Sequence, residues 1–194
     1  VTIGGLKSLI GSRKQILVCE IGCGGGDNLN AIDKYCKKNH VEVSFIAIDI
    51  NKDCIAYAKA NVISEKVDFI VSDYSTVNFQ NAKPDIIFSS LFCHHFTDDQ
   101  LLQMFAWMNR NVEVGFFIND LHRHPLAYHF IRIMSKIFSG SYLVKNDAPL
   151  SVLRGFKKIE WEQLILKAGL KNASIKWRWA FRYLVICQVA KNLK

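Results

Sequence analysis

Short apolar runs alternate along this chain with stretches whose apolar positions recur every three or four residues. Five of the runs predict buried strands, at residues 15–21, 41–48, 67–71, 84–90 and 112–118. Five stretches predict helices with one apolar face, at residues 27–38, 51–61, 100–108, 126–138 and 160–168. With 194 residues, half of them hydrophobic, the pattern predicts a single α/β domain spanning residues 1–194.

The remaining segments carry weaker signals. Residues 4–10 are compatible with a short helix, and residues 139–150, with Gly140 and Pro149, predict a loop. Residues 173–179 and 181–189 predict two antiparallel strands with little turn between them.

A glycine-rich turn joins the first predicted strand to the first long helix. Residues 18–29 read V-C-E-I-G-C-G-G-G-D-N-L, and glycines at such a turn let the backbone approach a ligand closely. A strand, a glycine turn and a helix form half of a nucleotide-binding unit. The glycine spacing differs from the dinucleotide pattern G-x-G-x-x-G, and Glu20 would repel a phosphate but suit a cationic ligand.

The pattern formed by Glu20, Gly22, Gly24 and Gly26 resembles the first motif of the class I S-adenosylmethionine (SAM)-dependent methyltransferases. The resemblance implies SAM as the cofactor, with the acid near the methionine ammonium and the turn beneath the sugar and methionine. It assigns the other members of the turn, Cys23 and Asn28, to the same site. A glycine-rich turn of some other α/β protein is the alternative for this motif alone.

Later segments match further motifs of that family. Asp49 ends the second predicted strand, where an acid can accept hydrogen bonds from ribose hydroxyls, and Ile50 is placed to pack on adenine. Asp73 and Tyr74 follow the third strand and match the family's adenine-binding positions, although Asp73 is also a typical turn or cap residue.

The family implies a Rossmann-like, seven-stranded sheet, mostly parallel with a C-terminal antiparallel pair and with helices on both faces. Ser90 and Leu91, at the end of the fourth strand, are assigned to the cofactor site by the same resemblance. The loop L-F-C-H-H-F at residues 91–96 lacks the N/D-P-P-Y/F motif of amine methyltransferases. It resembles instead the branch that modifies small phenolic and quinone-like metabolites.

More narrowly, several segments are similar to the methyltransferases encoded beside type III polyketide synthases in bacteria. They are L-F-C-H-H-F, I-N-D-L-H-R-H-P-L-A-Y, D-A-P-L-S-V-L-R-G-F and W-R-W-A-F-R-Y. The chain departs from that branch at residues 179–182, which read W-A-F-R where W-P-F-R is expected.

A phenolic acceptor would need a base to take its proton, which is typically worth about 10²–10⁴-fold in rate. His95 is the first candidate and His94 the second, because histidine is the natural base near neutral pH. Asp120, with Asn119 at the end of the fifth strand, is predicted to lie at the site as partner or alternative base. One of the two histidines is as readily explained by packing and backbone hydrogen bonds.

Residues 121–156 are predicted to form an acceptor-site insert together with the N-terminal segment. Arg123 and His124 are candidates to bind a carboxylate or phenolate of the acceptor, and Arg154 either orders a loop or meets the acceptor. Five apolar or aromatic residues would wall the pocket, namely Tyr128, Phe130, Met134, Phe138 and Phe156. The same apolar stripe would equally suit a core or a dimer contact. No metal site is expected, because no H-E-x-x-H helix or Cys/His quartet is present.

Composition narrows the function classes. The formal net charge of +8 is spread over the chain without a dense basic block, so the charge does not indicate a nucleic-acid partner, and a small-molecule acceptor is favoured. Six unpaired-looking cysteines, together with no span-length apolar run and no signal-peptide pattern in residues 1–14, predict a cytoplasmic protein without a membrane span. Either a monomer or a homodimer is expected. An RNA or protein methyltransferase and a non-catalytic SAM-binding protein are the alternatives.

Overall fold

The computed structural model describes residues 1–79, 82–138 and 142–189, with side chains for all of these except 136–138 and 142–146. Its strands are β1 (Gln15–Ile21), β2 (Glu42–Asp49), β3 (Val67–Val71), β4 (Ile86–Ser90), β5 (Gly115–Leu121), β6 (Ala173–Arg178) and β7 (Arg182–Gln188). Its helices are α1 (Thr2–Ile10), α2 (Asp27–Lys38), α3 (Lys52–Asn61), α4 (Asp98–Asn111), α5 (Pro125–Phe138), α6 (Tyr142–Arg154) and α7 (Lys158–Lys167).

All the strands belong to one seven-stranded sheet with the order β3-β2-β1-β4-β5-β7-β6. Strands β1 to β5 are parallel, and β7 runs antiparallel to both β5 and β6. The predicted fold class is therefore confirmed. The direction of winding reverses between β1 and β4, and in such sheets ligands bind beyond the carboxyl ends of the strands at that reversal.

Two apolar layers cover the sheet. Residues of α4 and α7 pack on one face, where Phe105 and Trp161 are fully enclosed, and α1 and α2 supply Leu6 and Leu29 to the other face. The central strands are apolar on both faces because a parallel sheet is covered on both sides. Within the described residues, no helix combines the length and apolar character needed to cross a bilayer.

The predicted start of the fifth strand was wrong. Val112 is the C-cap residue of α4, and the strand begins only at Gly115. It continues to Leu121 because Asn119, Asp120 and Leu121 pair with β7. Asn119 and Asp120 therefore lie inside the strand, and their side chains alternate between its two faces.

The predicted loop at residues 139–150 was also wrong where the structure describes it, since residues 139–141 lie outside the described part. Helix α6 covers Tyr142–Arg154 and includes Pro149 in its interior. Proline removes one helical hydrogen bond and opposes the helix locally. Helix α6 packs against α5, and tertiary packing of this kind outweighs local propensity.

The segment joining β6 to β7 is longer than predicted. The strands end at Arg178 and begin again at Arg182, so that Trp179, Ala180 and Phe181 form a corner. The corner is defined here as these three residues together with Arg182, the first residue of β7. It lies at the same end of the sheet as the carboxyl end of β5, because Arg182 pairs with Leu121.

Candidate active site

The glycine turn is shaped by close contacts as well as by its backbone. Gly22 and Gly24 have φ values of +67° and +51°, in the left-handed region that favours glycine. A Cβ atom at Gly22 would lie 2.4 Å from Cδ2 of Phe92. The backbone N–H groups of Gly22 and Cys23 both donate to the carbonyl of Ile48, which ties the turn to β2. Gly26, at φ +80°, is the N-cap of α2.

Glu20 presents an unsatisfied carboxylate oxygen at the end of β1. Its side chain is fully buried, and Oε1 accepts a hydrogen bond of 2.8 Å from Nδ2 of Asn28. Oε2 has no hydrogen-bond partner among the described residues. Burial raises the pKa of Glu20 well above its usual range, and the charges of Asp27 and Asp49 raise it further. A cationic ligand would supply the missing partner for this oxygen.

Asp49 links the glycine turn to the next helix. Its Oδ2 accepts the N–H of Gly24 at 2.9 Å, and its Oδ1 accepts the N–H of Asn51 at 2.9 Å. Each oxygen of a carboxylate can accept two hydrogen bonds. Asp49 is therefore held rigidly while one acceptor position on each oxygen stays available for a pair of hydroxyl donors.

A cavity of about 200 Å³ lies beside Asp49. We call it the small cavity, and its lining residues come from the ends of β1, β2, β3 and β4: Gly22, Ile48, Asp49, Ile50, Ser72, Asp73, Tyr74, Phe92 and Phe96. The four residues predicted for ribose and adenine, Asp49, Ile50, Asp73 and Tyr74, are brought together here. Ile50 is 74% exposed, so its apolar side chain has surface that a flat ligand could cover.

Asp73 and Tyr74 are oriented by contacts on the far side of the small cavity. Oδ1 of Asp73 accepts the N–H of Ser75 at 2.8 Å, so the turn role considered for Asp73 is real. The Tyr74 ring meets Trp107 edge-on at 5.3 Å. Burial raises the pKa of Tyr74 to about 12, so its hydroxyl is neutral at physiological pH.

A larger cavity of about 600 Å³ extends from the glycine-turn side of the sheet toward β7. Its lining comes from α1, α2, β4, β5, α5, α6 and the corner: Val1, Thr2, Asp27, Asn28, Ser90, Leu91, Asn119, Leu121, His122, Ala127, Phe130, Ile131, Val152, Trp179, Ala180, Phe181 and Arg182. We call it the large cavity. Its volume falls within the range typical of small-molecule sites, about 300–1,000 Å³.

Ser90 and Asn119 stand side by side in the wall of the large cavity. Nδ2 of Asn119 donates to Oγ of Ser90 at 2.8 Å, and the carbonyl of Asn119 accepts the N–H of Leu91 at 2.8 Å. Oδ1 of Asn119 is buried and has no hydrogen-bond partner in the described part of the chain. This oxygen is available to a donor group of a ligand.

Asp120 organises the turn after β4 from the opposite face of the sheet. Its fully buried carboxylate accepts the N–H groups of Phe92 and Cys93 on Oδ2, at 3.1 and 2.7 Å. Oδ1 accepts the N–H of Leu121 at 2.7 Å and lies 2.8 Å from Nδ1 of His94. The structure therefore brings His94 and Asp120 together in a buried pair.

His95 is placed beside this pair, with its ring 4.2 Å from that of His94. It is exposed, and partial burial together with the neighbouring His94 and Arg154 lowers its pKa, against an opposing effect of Asp120. None of His94, His95 and Asp120 is among the described residues that line the large or the small cavity.

The residues predicted to bind the acceptor are mostly engaged elsewhere. Arg123 forms an ion pair with Glu160, and the ring of His124 stacks on that of Phe181 at 5.4 Å. Tyr128 contacts His129 outside the cavity lining, and the exposed Arg154 lies near His95.

Of the predicted aromatic wall, Phe130 lines the large cavity. Phe156 packs instead on Trp161, with ring centres 4.2 Å apart, and belongs to the core. Met134 lies outside the cavity lining, and the side chain of Phe138 lies outside the described part of the chain.

Sequence reasoning missed the corner between β6 and β7. Trp179, Phe181 and Arg182 line the large cavity, together with His122. The aromatic and basic run W-R-W-A-F-R was visible at residues 177–182, but nothing local indicated that it faces a site. Across the described residues, no three His, Cys, Asp or Glu side chains converge as a metal site would require.

The arrangement is that of a methyltransferase. Residues 18–115, just over half of the chain, match the family described as a methyltransferase domain, and the chain belongs to that family. No curated protein sequence matches the chain.

Solved structures with similar folds include magnesium protoporphyrin IX methyltransferase from Synechocystis PCC 6803 with bound S-adenosylhomocysteine (SAH). It is 13% identical, with a TM-score of 0.64 over 97% of this chain and 80% of that one. A SAM-dependent methyltransferase from Aquifex aeolicus is 17% identical, with a TM-score of 0.65 over 97% and 89% of the two chains. The plantazolicin methyltransferase, with SAH, is 15% identical, with a TM-score of 0.64 over 90% and 76%.

Family and site chemistry agree on the cofactor, so the prediction of SAM is confirmed. The buried, unpaired oxygen of Glu20 fits a methionine ammonium, and the available acceptor positions of Asp49 fit a pair of ribose hydroxyls. The glycine turn leaves room that a Cβ atom would fill.

Proposed function

We propose that this chain is a small-molecule methyltransferase that acts on oxygen or carbon of a planar, largely apolar acceptor, phenolic or polyketide-like in kind. The observation that carries the proposal is the large cavity, which begins at Asn28 and Ser90 and continues between aromatic walls. Phe130, Trp179 and Phe181 offer flat apolar surface suited to an aromatic body.

Cofactor binding in this proposal uses both ends of the glycine turn. SAM supplies an electrophilic methyl group on a sulfonium sulfur. Glu20 would hold its ammonium, Asp49 its ribose hydroxyls, and Asp73, Tyr74 and Ile50 would surround adenine in the small cavity. Ser90 and Leu91, which line the large cavity, would border the reacting group.

The protein's contribution to the reaction is mainly positioning, since the acceptor atom must lie in line with the bond that breaks. An acceptor oxygen bonds to the methyl carbon while the sulfur keeps the electron pair of the broken S–C bond. The phenolic proton passes to a base.

We propose His95 as that base. It lies outside the described lining of both cavities, but it follows β4 on the same turn as Leu91 and Phe92, which line the large and the small cavity. Its lowered pKa favours the neutral ring that a base requires. Asp120 would act by positioning, because four donors already occupy its two oxygens. His122 lines the large cavity, but its Nδ1 accepts Nε1–H of Trp177 at 3.3 Å. A neutral His122 therefore carries its proton on Nε2 and serves as a donor.

Incubation of the purified chain with radiolabelled SAM and 1-naphthol, with SAH formation as the readout, tests the proposal. We expect methylated naphthol from the wild type and at least tenfold less from Asp49→Asn. Transfer of label to RNA or protein in place of naphthol would favour the alternative enzyme classes. SAM binding without transfer to any of these acceptors would favour a non-catalytic SAM-binding protein. Full activity of both His95→Ala and His94→Ala would refute the base assignment.

A further inference from the structure

Two arginines face each other where β6 and β7 leave the corner. Arg178 and Arg182 are register partners across the antiparallel pair. Side chains at such positions start about 4.5–5.5 Å apart, and like charges directly opposite are destabilising. In the described part of the chain, neither guanidinium makes a hydrogen bond or an ion pair.

The nearest acidic influence on Arg182 does not neutralise it. Asp120 raises the pKa of Arg182 through its charge, while partial burial lowers it by a larger amount. The two oxygens of Asp120 already accept four donors from the backbone and His94. No acceptor position remains for a guanidinium, so Arg182 stays charged and unpaired at neutral pH.

Arg182 lines the large cavity, and its strand is separated in the sheet from the strand that leads into the glycine turn. Strands β1, β4, β5 and β7 are successive neighbours in the sheet, and at about 4.8 Å per strand β7 lies about 14 Å from β1. The backbone of Arg182 is thus remote from Glu20 and Asn28, which belong to the methionine side. We therefore assign Arg182 to the part of the cavity left for the acceptor.

The surroundings of Arg182 are apolar apart from a few polar groups. Phe181 and Trp179 adjoin it in the corner, and Phe130 and Ile131 extend the lining from α5. His122 presents a neutral ring, whose pKa burial and His124 lower. An aromatic ligand with an anionic substituent matches this combination of flat apolar walls and the partly buried cation of Arg182.

We propose that Arg182 is the anion-binding residue of the acceptor pocket, assisted by Arg178, and that the acceptor is an aromatic carboxylic acid held by its carboxylate. The inference rests on the proposed function and names the substrate class of that site. A guanidinium binds a carboxylate through two parallel hydrogen bonds. Because that pairing occupies the carboxylate oxygens, the methyl group goes to a different atom, and the carboxylate serves as a handle.

The test uses the SAH-loaded protein and three compounds of one ring system: 1-naphthol, 1-hydroxy-2-naphthoate and its methyl ester. Binding is followed by tryptophan fluorescence or calorimetry. We expect the acid to bind at least tenfold more tightly than its ester, and Arg182→Gln to remove that difference without changing SAH affinity. Lys176→Gln, which removes a charge of the same sign two residues before Arg178 on β6, is the matched control and should preserve the preference.

The outcomes separate this inference from the proposed function. If naphthol and the ester bind as tightly as the acid, the proposal that the carboxylate serves as a handle is refuted, while the proposed site for a planar acceptor is supported. A loss of SAH affinity in Arg182→Gln would refute the inference by placing the cation at the cofactor. Failure of all three compounds to bind a protein that still binds SAH would overturn both. Methylation of the carboxylate itself would refute the handle.

Discussion

Nδ1 of His94 lies 2.8 Å from Oδ1 of Asp120, and both side chains are shielded from solvent. The other oxygen of Asp120 accepts the N–H groups of Phe92 and Cys93, so one carboxylate of β5 fixes the whole turn after β4. Phe92 in turn packs over Gly22 and lines the small cavity. Through Asp120, the strand that borders the large cavity also sets the shape of the small cavity.

We expect Asp120→Asn to damage the cofactor site and the stability of the fold together. The NH₂ group of an asparagine cannot accept hydrogen bonds, so some of the N–H donors that now bind the Asp120 carboxylate would lose their acceptor. Leaving a buried donor unsatisfied costs about 1–3 kcal/mol. Urea denaturation and calorimetric titration with SAH measure the two effects. Asp98→Asn, an exposed change in the first turn of α4, is the control. Loss of turnover with stability and SAH affinity intact would instead indicate a direct catalytic role for Asp120.

Asp49→Asn should weaken SAM and SAH by equal factors. The change removes the charge and half of the acceptor capacity that the two ribose hydroxyls would use, a loss of about 1–3 kcal/mol or roughly tenfold or more in affinity. Calorimetry with both ligands measures it. Asp53→Asn alters an exposed carboxylate of the neighbouring helix and should change neither affinity. A selective loss of SAM binding would show that Asp49 senses the sulfonium charge instead.

The proposed cofactor half of the site was predictable because its signals are local. Glu20, Asp49 and Asp73 each follow or end an apolar run, and carboxyl ends of parallel strands meet at one edge of the sheet. Spacing along the chain therefore translated directly into position. The start of α4 is equally local, since Thr97 and Gln100 form a capping box there.

The proposed acceptor half of the site was not predictable because distant segments build it. Arg182 reaches the cavity only through its pairing with Leu121, 61 positions earlier in the chain. Arg123, which the sequence favoured as an acceptor-binding residue, instead forms an ion pair with Glu160 of α7. No local pattern distinguishes an arginine held by an ion pair from one left facing a cavity. The prediction of a loop around Pro149 failed for the same reason. Packing of α6 against α5 outweighs the local tendency of proline to break a helix.

Gly22→Ala should destabilise the protein and impair SAH binding. A non-glycine residue at φ +67° costs about 1–2 kcal/mol, and the new methyl would press on the ring of Phe92 at 2.4 Å. Displacing Phe92 alters the wall of the small cavity. Urea denaturation and SAH titration measure the effects.

Gly25→Ala is the matched control for that prediction. Gly25 lies in the same turn without a positive φ, and its Cβ would meet only the ring of Tyr57, at 3.2 Å. Gly25→Ala should therefore destabilise the protein much less than Gly22→Ala does. Equal losses in both variants would show that the turn tolerates no side chain at any position and that Phe92 is irrelevant.

Glu20 should make the ligand-free protein less stable as the pH rises. Its folded-state pKa lies above the unfolded value of about 4.3 because burial disfavours the charge. Between these two pKa values the folded state binds more protons than the unfolded state, so the free energy of unfolding falls with increasing pH. Glu20→Gln should remove this decline, measurable as a flatter dependence of urea midpoint on pH from 4.5 upward.

The same carboxyl should couple cofactor binding to proton release. An ammonium group near Oε2 favours the ionised form, so SAH must bind more tightly as the pH rises toward the raised pKa of Glu20, and binding must expel a proton. Calorimetry in buffers of different ionisation enthalpy counts that proton. In Glu20→Gln the release should vanish and affinity should fall, although that variant is the more stable one without ligand. Glu42→Gln, at the exposed start of β2, should retain the coupling. A wild-type affinity independent of pH, with no proton released, would mean that Glu20 does not meet the ammonium.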